Sequence, residues 1–229
     1  MTNQHPITIL AIATDFKGIP LFEECSRQNC RLLLLYSEKD ADKPWPWHVI
    51  DESFMMPDLS KQPDITYAVS YLMRDHKIDR IVALDDYDVA TAASLREHLR
   101  LPGMGESTAR HFRDKLAMRQ QARDEGILVP PFTGLFNYDA LRTFMAETPT
   151  PWVLKPRFEA GAVGIRKLHH AEEVWRALDD LGDQQSFYLL EQFIPGDVFH
   201  VDALIWEKEV VFSSASQYGT PPLSVTTGG

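Results

Sequence analysis

Two lysines, a loop of small residues and a glutamate ahead of a Pro-Gly turn have types and order that could do chemistry in this 229-residue chain. Lys115 sits in Asp114-Lys115-Leu116-Ala117-Met118-Arg119, a helical stretch; alone it reads as a solvated lysine. Lys155 closes the apolar run Trp152-Val153-Leu154 and precedes Pro156. An ammonium there loses hydration unless a polar partner compensates it. Glu159-Ala160-Gly161-Ala162-Val163-Gly164-Ile165 comes next. Gly161, Ala162 and Gly164 allow close backbone approach to a ligand, and successive N–H groups in such a turn can cradle phosphate oxygens. A plain hairpin turn is the competing reading. No Gly-Lys-Ser/Thr follows and the loop opens no helix, so it is neither a Walker loop nor a dinucleotide fingerprint. In Leu189-Leu190-Glu191-Gln192-Phe193-Ile194-Pro195-Gly196, extended backbone at Gln192, Phe193 and Ile194 could pair with an adenine edge while Glu191 accepts from its amino group. Otherwise Glu191 is a strand-end residue before a turn.

Asp85, Asp86 and Asp88 follow a presumed parallel strand, where open α/β sheets place ligands. They could hold a cation or a substrate amine, or simply cap a helix with acidic first-turn residues. Arg157 and Arg166 flank the small-residue loop and read as solvated, with a carboxylate or phosphate as the other option. Trp45, Trp47, Phe54, Met55 and Met56 read equally as loop packing or a substrate-side wall. The only cysteines, Cys25 and Cys30, are too few for a disulfide scaffold and point to core thiols in a reducing, cytoplasmic compartment.

These residues need elements to hold them. Residues 7–13 and 31–36 are almost wholly apolar, as parallel strands covered on both faces are, and 78–84 repeats the pattern. Between them, 19–28 and 65–76 carry apolar residues at helical spacing, and another helix covers 88–99. This order predicts a doubly wound, Rossmann-like lobe over residues 1–103. Lys43-Pro44-Trp45-Pro46-Trp47 is a loop. Past Leu101-Pro102-Gly103, one long polar helix is predicted over 106–125, leaving through Gly126-Ile127-Leu128-Val129-Pro130, so that 104–130 links the lobes. A strand at 152–156 and a helix at 171–181 follow; 186–193, 198–206 and 209–214 are strands expected to pair antiparallel through tight turns. This part is α+β, divided into a small subdomain over 131–190 and the start of a second over 191–229.

Apolar residues make up 44% and charged residues 24%, which suits a globular chain and excludes disorder. No run reaches the ~18–20 apolar residues of a membrane helix, and the polar lead before residue 7 has no signal-peptide pattern. A net charge of −10 argues against a nucleic-acid partner, although a local basic pocket could still hold a small anion. Nothing resembles a Ser-His-Asp, Cys-His or zinc pattern. Ile12-Ala13-Thr14-Asp15-Phe16-Lys17-Gly18 has one glycine where a nicotinamide oxidoreductase needs Gly-x-Gly-x-x-Gly.

Taken in order, a helix lysine, a strand-end lysine, a small glycine loop and Glu-x-Phe-Ile-Pro-Gly resemble the ATP-grasp superfamily, which includes biotin carboxylase and D-alanine–D-alanine ligase. Leu84-Asp85-Asp86-Tyr87-Asp88 through Leu101-Pro102-Gly103 is similar to the end of its N-terminal lobe, so the likeness covers about residues 78–229. It implies a Rossmann-like pre-ATP-grasp lobe followed by an incomplete α+β ATP-grasp domain. It also implies a ligase that phosphorylates a small carboxylate with ATP and passes the acyl phosphate to an amine, releasing ADP and phosphate. By position, Lys115 and Lys155 would bind the phosphates, Gly161, Ala162 and Gly164 would form a flap, and Glu191 with the backbone of Gln192, Phe193 and Ile194 would hold adenine. Val198 stands where relatives often have the ribose-binding glutamate, so Asp197 or His200 would substitute; His200 could instead be a strand residue facing the core. Asp85 and Asp86 would face substrate. The family's magnesium ligands, a Glu or Asp and then Glu-x-Asn, would lie beyond residue 229, which makes the chain read as an N-terminal fragment that turns over ATP poorly by itself. A non-catalytic ATP-binding protein is the alternative, and a homodimer is left open.

Overall fold

Strands that are apolar on both faces build the first of two units in a computed structural model that describes residues 6–226. The terminal glycines and most of the polar lead lie outside the described residues. The units are Met1–Arg113 and Asp114–Gly229, and the division falls within the predicted linking segment. No described helix is long and apolar enough to cross a membrane.

The first unit runs β1 (Thr8–Ala13), α1 (Ile19–Arg27), β2 (Arg31–Ser37), β3 (Glu52–Met56), α2 (Asp64–Leu72), β4 (Arg80–Ala83), α3 (Val89–Leu99) and α4 (Glu106–Arg113). Its parallel sheet has the order β3-β2-β1-β4, so the chain reverses direction across the sheet between β1 and β4. Alternation sends Leu10, Ile12, Leu33 and Leu35 to one core and Ala11, Ala13, Leu32 and Leu34 to the other. Each buried leucine or isoleucine among them contributes about 1.5–3 kcal/mol. Phe54, Met55 and Met56 belong to the edge strand β3, which corrects their reading as loop residues. Trp45 is loop packing: it is buried against Phe16, Phe22 and Tyr36, with its Nε1–H donating to the Asp40 carbonyl at 3.0 Å. Cys25 is buried, Cys30 half-buried, and both are free thiols.

The second unit runs α5 (Lys115–Asp124), β5 (Phe132–Gly134), α6 (Tyr138–Glu147), β6 (Trp152–Pro156), β7 (Arg166–Leu168), α7 (Ala171–Leu181), β8 (Tyr188–Gln192), β9 (Phe199–Trp206), β10 (Glu209–Gln217) and α8 (Pro222–Thr226). One antiparallel sheet has the order β5-β8-β6-β7. Its core face, with Trp152, Leu154 and Leu190, packs on Leu141 of α6 and on Val174 and Leu178 of α7. Two expectations change here, and the antiparallel pairing of β9 with β10 is as expected. The single helix over 106–125 is two, α4 and α5, because Asp114 adopts extended backbone and caps α5 by accepting from the Leu116 N–H at 3.0 Å. β8 pairs with β5 and β6 and not with β9. β9 and β10 pair only with each other, and every residue in them is exposed.

Candidate functional site

β6 and β8 set Val153 opposite Glu191 and Lys155 opposite Leu189. Lys155 and Glu191 are therefore diagonal neighbours on one face of the sheet, the face away from Leu154 and Leu190. Lys155 Nζ donates to Glu191 Oε1 at 2.5 Å, and Arg119 of α5 donates through Nε to Glu191 Oε2 at 2.6 Å. Lys155 is 8% and Glu191 5% exposed. Burial pushes the Lys155 ammonium below its ordinary pKa; Glu191 opposes that shift and the Arg119 charge adds to it.

Lys115 opens α5 one turn before Arg119, so both project from one side of the helix. Its N–H donates to the Arg157 carbonyl at 3.0 Å, and its ammonium donates to the carbonyl of Glu159. The two lysines are thus linked within one unit: Lys155 pairs with Glu191, which Arg119 of α5 also grips, and Lys115 opens the same helix and donates to the backbone that leaves β6. Arg157 is not solvated, which corrects that expectation. Its guanidinium grips both oxygens of buried Asp114, through Nε at 2.8 Å and one terminal nitrogen, and also donates to the Ser186 carbonyl at 2.9 Å. Burial works against the charge of Asp114, but the Arg157 pair holds its carboxyl below the usual carboxylate range. Arg166 is exposed, 3.3 Å from Asp180.

Between β6 and β7, Gly161, Ala162 and Gly164 have φ of +65°, +61° and +72°. A Cβ on Gly164 would also lie 3.0 Å from Pro156 Cγ, so glycine is required there. The loop is exposed and carries Val163 at its surface. Beyond β8, the Gln192 and Phe193 N–H groups donate to the Pro131 and Pro151 carbonyls, each at 2.9 Å. Those two donors and the Glu191 carboxylate are engaged within the protein. Ile194 and Asp197 are exposed. Lys167, passed over in the sequence, stands over the Phe193 ring with Nζ 3.9 Å from its centroid. His200 is exposed on β9, 3.5 Å from Asp202 and with its ring 5.1 Å from that of Tyr218, so it does not face a core. Arg119 too was passed over; its signal is the four-residue step from Lys115.

Asp85 and Asp86 lie in the first unit. Asp85 accepts from the Tyr87 N–H at 2.9 Å, as the capping reading expected, and pairs with Lys17. Asp86 is 2.6 Å from Arg113, and Asp88 accepts from the Thr14 N–H and hydroxyl at 2.8 and 2.5 Å. Among the described residues no group of three or more His, Cys, Asp or Glu could hold a metal ion.

No family model matches the chain. An L-arginine-specific L-amino acid ligase of Bacillus subtilis is 26% identical over 227 residues, 95% of this chain and 54% of that protein. A D-alanine–D-alanine ligase of Marinobacter nauticus is 30% identical over 91 residues, 40% of this chain and 28% of that one. The chain thus spans about half, or less, of the length of these relatives. Among solved structures, an L-amino acid ligase from Bacillus licheniformis superposes with a TM-score of 0.74 at 19% identity, covering 96% of this chain and 55% of that one. The N5-carboxyaminoimidazole synthetase of Staphylococcus aureus, complexed with ADP, gives 0.68 at 15% identity, covering 96% and 57%. These relatives and neighbours are ATP-grasp ligases, and the chain has the ATP-grasp fold.

Proposed function

We propose that this chain supplies the nucleotide grip of an ATP-dependent ligase that joins a small carboxylate to an amine. The observation that carries the reading is the junction of Lys155, Glu191 and Arg119, with Lys115 one helical turn away and a left-handed small-residue loop alongside. ATP brings about four negative charges, which this cationic junction and the N–H groups of the loop are suited to offset. In this reading Lys115 and Lys155 bind phosphate oxygens, and Gly161, Ala162 and Gly164 close over them. Adenine lies against the β8 exit at Ile194, because the Gln192 and Phe193 N–H groups are already engaged and their segment serves as a fixed wall. Asp197 or His200 meets the ribose, and Asp85 and Asp86 serve the substrate side.

A carboxylate oxygen attacks the γ-phosphorus, the bond to the ADP oxygen breaks, and an acyl phosphate forms. The amine lone pair then attacks its carbonyl carbon, phosphate leaves with the bonding pair, and the amine proton passes to solvent or phosphate. Positioning and charge neutralisation do the work, and excluding water protects the acyl phosphate. No step is assigned to a metal here. The second reading is an ATP-binding protein without turnover.

Calorimetry decides. The wild-type chain should bind ATP, and Lys155→Ala should lose that binding while keeping its circular dichroism spectrum. Undiminished affinity in a folded Lys155→Ala protein overturns the assignment. ADP release by the chain alone, measured with Mg²⁺, should be negligible; sustained turnover would count against the non-catalytic reading.

A further inference from the structure

We infer that Arg119 is a positioning residue of this grip: by holding Glu191 from α5, it leaves the buried junction with one positive charge in excess, so that the Lys155 ammonium is offered to an anionic ligand. The inference rests on the nucleotide-binding reading. Lys155 and Glu191 alone are a neutral pair, in which the carboxylate cancels the ammonium before any phosphate arrives. Arg119 changes that balance. The two Glu191 oxygens are divided, Oε1 to Lys155 and Oε2 to Arg119, so two cations share one carboxylate inside the fold. Burying Lys155 and Glu191, with a partly exposed Arg119 beside them, is a poor route to stability, because apolar side chains of like volume pack as well without a desolvation cost. An excess charge in a water-poor site, by contrast, acts strongly on a triphosphate. Arg119 also fixes where α5 begins relative to the sheet, and that start carries Lys115.

The experiment uses the 229-residue chain with Arg119→Gln, Arg119→Lys and Lys155→Ala. Calorimetry measures ATP and adenosine binding, and NMR of isotope-labelled lysine follows the Lys155 titration. In Arg119→Gln, ATP affinity should fall about tenfold or more, the worth of one charge-assisted contact, with adenosine affinity nearly unchanged. Lys155 should titrate at higher pH than in wild type, because a neighbouring cation has gone. Arg119→Lys should recover most of the ATP affinity. Equal losses for ATP and adenosine, or an unmoved Lys155 titration, would make Arg119 structural only and overturn the inference. If Lys155→Ala loses ATP and Arg119→Gln does not, this inference alone fails. A wild-type chain that binds no ATP removes the grip itself, and the inference with it.

Discussion

At the residue scale, Asp114 performs two tasks that the sequence shows as one polar residue in a polar stretch. It caps α5, and it takes both arms of Arg157 in a pair whose carboxylate is almost wholly buried. Removing it leaves a half-buried guanidinium without its charge partner and a helix start without its acceptor. Asp114→Ala should therefore lower the unfolding free energy by about 3–5 kcal/mol, and Asp114→Asn, which keeps a capping oxygen, by less. Urea titration at neutral pH measures both; equal losses for the two variants would refute the capping contribution and leave the charge pair as the whole effect. The pH dependence has a definite sign. The folded-state carboxyl lies below its ordinary range, so the pair's contribution is complete above the ordinary carboxylate pKa and is lost as pH falls through the depressed folded value. The deficit of Asp114→Ala relative to wild type should thus shrink as pH falls through that depressed value.

At the element scale, two turns of the second unit behave differently. Gly164 combines a left-handed φ with a tight approach to Pro156, so Gly164→Ala should cost about 1 kcal/mol or more in stability and stiffen the loop. The β9–β10 turn is the reverse case. Glu207 and Lys208 both have positive φ, +48° and +69°, the backbone of a two-residue turn that favours Asn-Gly. Glu207→Asn with Lys208→Gly should stabilise the hairpin by about 1 kcal/mol, seen as slower amide exchange along β10; faster exchange would mean that the turn is not of this type.

These elements also mark how far the sequence could be read. The parallel strands were legible because burial on both faces leaves long apolar runs, and Lys155 stood out because a charge ended one such run. The break at Asp114 was hidden, since a capping aspartate inside a polar helix looks like any other polar residue. The partner of β8 was hidden too, because pairing depends on distant β5 and β6 and not on the next strand in the chain. Arg119 was passed over and Arg157 read as solvated for the same reason: only the fold brings Glu191 and Asp114 to them.

At the scale of the whole molecule, strands differ in how much surrounds them. β6 and β8 are flanked by other strands and covered on one face by Leu141, Val174 and Leu178, so opening them requires dismantling a core. β9 and β10 have only one another and expose Phe199, Val201, Leu204, Ile205, Trp206 and Phe212 to solvent. A lone two-stranded ribbon is marginal in water, because its backbone hydrogen bonds are reached by solvent and little apolar area is removed from it. In the isolated 229-residue chain, β9 and β10 amides should therefore exchange through local opening, roughly a hundredfold less protected than those of β6 and β8. Their protection should also respond differently to denaturant, staying flat at low urea while that of β6 and β8 falls with global stability. Hydrogen exchange with mass spectrometry separates the outcomes. Equal protection in both strand pairs would mean that the apolar ribbon is covered in solution, and sedimentation across a concentration series would then tell whether a second copy covers it.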